Sequence, residues 1–170
     1  DEKDQIREVA LKSSRAVVRL SGTVLKCLHR EEEFDELLDD LKDETSRLSS
    51  LLADHPDLAS AGYVESAFQE YSEVGIMLSR LERDDVPSAE DLGVESVPYL
   101  LGLGDTVGEL RRFSLDELKR GNVMRANYFL DRMEDIYTAL MRFDYPDAIV
   151  AVRRKQDIAR SLLEKTRGEV

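Results

Sequence analysis

The sequence is short of the residues that staple a chain, anchor it in lipid or bind metal through nitrogen and sulfur. One cysteine, Cys27, cannot close a disulfide within the chain, and a reducing, cytoplasmic compartment is expected. No apolar run approaches the roughly 20 residues needed to cross a bilayer, so no membrane partner is expected. The opening residues Asp1-Glu2-Lys3-Asp4 are charged and lack the apolar stretch of a secretory signal. Only two histidines occur, His29 and His55, and neither stands in the Glu-x-x-His motif of a di-iron carboxylate bundle. Strand-type alternation and internal repeats are missing.

Basic residues are also scarce, 24 Lys and Arg against 36 Asp and Glu, for a net charge of −12. Phosphate binding needs cationic side chains, so composition by itself argues against nucleic acid. The imbalance is uneven, however. Residues 1–110 hold 11 basic against 26 acidic residues, whereas residues 111–170 hold 13 against 10. An acidic surface with a mildly basic C-terminal third can still contain a local basic groove, although acidity that serves solubility alone is the simpler reading.

What remains is a chain with 42 % hydrophobic residues, enough for one core over residues 1–170. Ile6, Val9, Ala10, Val17, Leu20, Val24 and Leu28 recur at threes and fours and predict a helix reaching Arg30. A second helix is predicted from the Glu31-Glu32-Glu33 cluster to Leu52, and His55-Pro56-Asp57 breaks the chain after it. A third spans Leu58 to Arg83, with Ala67, Phe68, Tyr71, Gly75, Leu78 and Leu81 as its packing face. Residues 84–98 read as an irregular connection. A fourth helix starts near Pro98 and stops at Gly121-Asn122. A fifth covers Val123 to Phe143, ended by Tyr145-Pro146, and a sixth runs from an Asp147 N-cap to Thr166. The fold class is therefore all-α, a bundle of six or seven helices without a sheet.

Most of the acids should be solvated, including the nine carboxylates between Glu31 and Glu44. Asp105 and Glu109 differ, because Pro98 to Leu110 contains no other charge. Gly102, Asp105, Glu109 and Arg112 form one line on this helix, beside the apolar stripe Leu100, Leu103, Val107 and Leu110. Gly102, Gly104 and Gly108 each cost about 1 kcal/mol of helix propensity relative to alanine, so something should pack or bind close to this backbone. Two carboxylates there repel unless they are protonated, paired with Arg112, or bridged by a cation. Glu70 and Glu73, one turn apart on the third helix, form a second pair. If the two helices lie side by side, the four oxygens-only side chains suit Mg²⁺ or Mn²⁺. A structural Asp/Glu–Arg network explains the same residues equally well.

These segments carry a resemblance to a known family. Tyr99-Leu-Leu-Gly-Leu-Gly-Asp-Thr-Val-Gly-Glu-Leu-Arg-Arg112 is similar to the YLLGVADLTGELMR segment of the Trax branch of the translin/Trax family. Gln69-Glu-Tyr-Ser-Glu-Val74 resembles its QEYVEA segment. Ser14-Arg15 with Leu28-His29-Arg30 resembles the family's SR…LHR helix, and Glu164-Lys-Thr-Arg-Gly168 the closing helix of archaeal members. The resemblance implies a seven-helix, α-solenoid-like bundle that assembles as a homo-oligomer, a hollow octamer. It also implies that Glu70, Glu73 and Asp105 are catalytic, with Glu109 beside them, in a Mg²⁺- or Mn²⁺-dependent endoribonuclease acting on single-stranded or unpaired RNA. A second register, on Tyr63-Val64-Glu65, would put Glu65 in place of Glu73 and Gly62 in place of the first acid. The register that keeps both acids is preferred. Arg112, His29 and Arg30 are candidate RNA contacts, with a salt bridge and a core histidine as their plainer readings. The alternative function is a non-catalytic oligomer that binds single-stranded RNA or DNA, as translin does. In it the acids are structural, and Arg153, Arg154, Lys155 and Arg160 face the interior.

Overall fold

The computed structural model describes residues 1–82, 85–143 and 150–170, and among these every regular element is helical. Contacts group them into two compact units, Asp1–Val74 and Gly75–Val170.

In the first unit, α1 (Glu2–Arg30) and α2 (Asp35–Asp54) pack on each other and run antiparallel. Ala10, Val17 and Val24 recur every seven residues, with Ser14 and Ser21 between them, and all five are buried. That seam is the narrow a/d face of a helix pair. Val9, placed in the apolar stripe by spacing, is instead 55 % exposed, because one residue step turns it about 100° from Ala10. Leu41, Thr45, Leu48 and Leu52 form the matching face of α2. The Ser13 hydroxyl donates to Glu44 across the pair, at 2.8 Å.

The second helix begins four residues later than the acidic cluster suggested. Glu31 adopts a left-handed conformation (φ 57°), and its N–H closes α1 on the carbonyls of Cys27 and Leu28. Eight of the nine carboxylates from Glu31 to Glu44 are exposed, and Glu44 is half-buried. The expected solvated face is therefore present. Pro56 ends the segment as expected, in a short 3-10 turn (Pro56–Leu58).

Helix α3 (Gly62–Glu82) opens in the first unit and closes in the second. Its buried residues include Val64, Ala67, Ser72, Glu73, Val74, Ile76, Met77 and Arg80. Phe68, Tyr71, Gly75, Leu78 and Leu81 are only half-buried. The predicted face does pack in part, since Ala67 is buried and a Cβ on Gly75 would lie 2.6 Å from Leu92 Cδ2, but apolar spacing did not mark the polar Ser72, Glu73 and Arg80, which lie inside. The Ser72 hydroxyl is satisfied by its own helix, donating to the Phe68 carbonyl at 2.7 Å.

The second unit contains α4 (Ala89–Leu92), α5 (Ser96–Lys119), α6 (Val123–Met141) and α7 (Val150–Glu169). The short α4 occupies the stretch read as irregular. Ser88 Oγ accepts from the Asp91 N–H and the Asp91 carboxylate accepts from the Ser88 N–H, both at 3.0 Å, and Gly93 (φ 69°) closes the turn. Those bonds hold the Asp91 carboxyl below the usual carboxylate range. Next to it, the Tyr99 hydroxyl donates to the Pro87 carbonyl at 2.6 Å. Burial, helped by the Asp91 carboxylate, pushes this phenol up to about 12.

Partner residues give the directions of the long helices. Tyr99 meets Phe143 and Phe113 stacks on Phe129, so α5 and α6 are antiparallel. Asp105 meets Lys155 and Arg111 meets Thr166, so α5 and α7 are parallel. Helix α6 packs on both α5 and α7, with Ala126, Phe129, Met133, Ile136 and Leu140 buried and Tyr128 and Tyr137 half-buried. At the far side Arg80 donates to Asp135 at 2.6 Å, which Arg132 also approaches at 3.4 Å, tying the end of α3 to α6. Gly121 (φ 81°) supplies the expected stop before α6. Helix α7 runs past Thr166, where the predicted helix ended, through Gly168 to Glu169. The Tyr145-Pro146 stop and the Asp147 cap fall outside the described residues.

Candidate active site

Helix α5 places Asp105 and Glu109 one turn apart on one face, both half-buried. The glycines around them have a structural explanation. A Cβ on Gly104 would sit 2.7 Å from Lys155 Cβ, so this position must lack a side chain for α7 to lie as close as it does. At Gly108 the nearest such atom is Leu162 Cδ1, at 3.9 Å. At both glycines the neighbour of the α5 backbone is α7, and Lys155 comes closer at Gly104 than Leu162 does at Gly108.

The Lys155 ammonium reaches Asp105 Oδ1 at 2.5 Å. Asp105 thus meets a lysine from α7, fifty residues away, where helical spacing had offered Arg112. One residue earlier, Arg111 donates to Thr166 at 2.7 Å and to Glu169 at 2.9 Å and 3.2 Å. The latter contacts hold the Glu169 carboxyl below its ordinary value. Arg112 itself is exposed.

Glu70 and Glu73 belong to the first unit and share one side of α3 by their spacing. Glu73 is the more enclosed, at 5 % exposure, while Glu70 is half-buried. Burial also raises the phenol of their neighbour Tyr71 above its ordinary value. Glu65, the alternative for Glu73, is half-buried two turns earlier. His29 is half-buried in the last turn of α1, and Arg30 after it is exposed.

Sequence reasoning missed Lys155 as a site residue and grouped it only with the basic run Arg153 to Lys155. The signal that points to it is Gly104, because a glycine inside a helix beside an acid marks where another backbone comes close. Arg160, from the same basic group, binds the Tyr137 hydroxyl at 3.1 Å.

Comparison with known proteins bears on what this arrangement belongs to. The Translin family model matches residues 5–167. The chain belongs to the Translin family. An uncharacterized protein of Methanocaldococcus jannaschii is 36 % identical over 99 % of this chain and 76 % of its own length. Among solved structures, apo-NeC3PO superposes with a TM-score of 0.87 at 26 % identity, covering 98 % of this chain and 90 % of that one. AfC3PO in complex with duplex RNA gives 0.76 at 28 % identity, covering 98 % and 88 %. The all-helical class and the family resemblance read from Tyr99 to Arg112 are thus borne out.

The donor chemistry of this Translin-family chain suits a hard cation. All four candidate side chains are carboxylates, and Asp105 already accepts a positive charge from Lys155. Among the described residues, no group of three or more His, Cys, Asp or Glu side chains gathers as a self-sufficient cage. Mg²⁺ seldom uses such cages, and is usually held through one or two carboxylates, waters and substrate phosphates. Each acidic pair is of that size. No helix among the described residues is long and apolar enough to cross a membrane.

Proposed function

We propose that this chain is a metal-dependent endoribonuclease that cleaves single-stranded or unpaired RNA, using Glu70, Glu73, Asp105 and Glu109. The observation that carries the reading is the retention of all four acids, at the positions of the Trax-like segments, in a chain of the Translin family. The similarity to AfC3PO, described in complex with duplex RNA, supports RNA as the ligand class. A bound Mg²⁺ or Mn²⁺ would supply charge neutralisation at the scissile phosphate and a more acidic water. The Trax-like resemblance assigns the metal to Glu70, Glu73 and Asp105, with Glu109 as a further ligand or as the group that orients the others. Arg112, exposed on the same helix, would contact a flanking phosphate, with His29 and Arg30 as further RNA contacts. No histidine or cysteine nucleophile is required.

A specific observation favours a second reading. The Lys155–Asp105 ion pair is what a purely structural acid would make, in an oligomer that binds single-stranded RNA or DNA without cutting it. End-labelled single-stranded and duplex RNA, incubated with the purified protein, separates the two. Endonucleolytic products are expected from the single strand in Mg²⁺ or Mn²⁺. They should disappear in EDTA and return when metal is restored. Retained RNA that stays intact in both metals would establish the binding reading instead.

Association is part of the same proposal. With a net charge of −12, the chain meets phosphate favourably only where its few cations are gathered, and a closed ring of copies gathers them around one interior. Exposed Val123, Met124 (89 %), Val150 and Ile158 provide apolar surface beyond that covered within the unit. A homo-oligomer is expected, an octamer with eight times the 19.3 kDa chain mass, by sedimentation or light scattering. A monomer at micromolar concentration would count against it.

A further inference from the structure

Lys155 approaches α5 along its whole stem. The Cβ that Gly104 lacks would lie 2.7 Å from Lys155 Cβ, 3.2 Å from Cγ and 3.3 Å from Cδ. The methylenes therefore lie flat across the Gly104 backbone and deliver the ammonium to the next residue, Asp105, at 2.5 Å. Both flanks of this contact are anchored. The Gln156 amide donates to the Leu140 and Phe143 carbonyls at 3.2 Å and 3.4 Å, and Arg111 fixes the far end of α7 through Thr166 and Glu169. A long lysine side chain on an open surface samples many rotamers, whereas this one is positioned by packing.

We propose that Lys155 is the resident counter-charge of Asp105, and that a divalent cation binding this carboxylate competes with it. The inference rests on the reading of Asp105 as a metal ligand. Without metal, the ammonium offsets the repulsion between Asp105 and Glu109 on one helix face. With metal, a fixed positive charge beside the carboxylate opposes the incoming dication, so the affinity of the site is set from α7 and kept weak. Lys155 is a positioning residue in this scheme.

The test is Mn²⁺ titration of the full chain, followed by the electron paramagnetic resonance of the free ion. Because 36 acids offer many weak sites, the relevant site is defined as the Mn²⁺ binding lost in Asp105→Asn. Lys155→Met keeps the stem over Gly104 and removes the charge, and Lys155→Arg keeps a charge. Met should tighten the Asp105-dependent site severalfold, up to about tenfold, as expected for the loss of one partly screened charge. Arg should leave the affinity near that of the wild type. Unchanged or weaker binding in Lys155→Met, with helix content retained by circular dichroism, overturns the competition while leaving the metal reading intact. Absence of any Asp105-dependent Mn²⁺ binding in all variants overturns both.

Discussion

Asp105→Asn is expected to abolish cleavage of single-stranded RNA, with a loss of more than about 100-fold. Removing a group that merely orients a metal ligand costs about 10–100-fold. Loss of a ligand should therefore exceed that range. The fold should survive. Asp105 and Lys155 are each partly exposed, with side-chain exposures of 22 % and 30 %, and pairs of this kind contribute about 0–1 kcal/mol. The asparagine keeps the shape of the side chain and still offers an oxygen to the Lys155 ammonium. Activity loss with unchanged helix content, melting temperature and oligomeric mass is therefore the predicted signature. Equal activity in wild type and variant, with contaminating nuclease excluded, would remove Asp105 from the catalytic set. A parallel loss of structure would make it a structural acid.

The pattern of sequence features that reached Asp105 stopped short of its partner. Helical repeats depend on residues three, four and seven apart, and so α1 as far as Arg30, α5 and α6, and the stop at Gly121 were largely legible, whereas the left-handed cap at Glu31 was not. The capping box of Ser88 and Asp91 was also present in local spacing, but four residues between prolines and acids read as a loop. Two other features could not be read locally. The buried face of α3 carries Ser72, Glu73 and Arg80, which no hydrophobic pattern selects. Lys155 meets Asp105 across fifty residues, and only the fold brings α7 to lie parallel to α5. The acids of the candidate site were legible because a charge-free segment isolates Asp105 and Glu109, and because the Trax-like motif spans them.

Gly104 and Gly108 should respond to the same substitution with opposite signs. In an isolated helix each Gly→Ala change would stabilise by about 1 kcal/mol. At Gly104 the new Cβ meets Lys155 Cβ at 2.7 Å, the root of a side chain on a packed helix and not a flexible tip. One of the two helices must move, and overpacking of this kind costs about 1–3 kcal/mol, enough to outweigh the propensity gain. At Gly108 the new methyl finds Leu162 Cδ1 at 3.9 Å, an ordinary contact, so the propensity gain remains. For a chain of this size about 1 kcal/mol moves the melting temperature by about 2–4 °C. Gly108→Ala should therefore melt higher by about that amount, and Gly104→Ala lower by at least as much, in calorimetry or denaturant titration. The Gly104 variant should also perturb the Lys155–Asp105 contact, because the stem that delivers the ammonium is the group displaced. Shifts of the same sign at both positions would show that α7 does not press on Gly104, and the positioning of Lys155 over that glycine would fall with it.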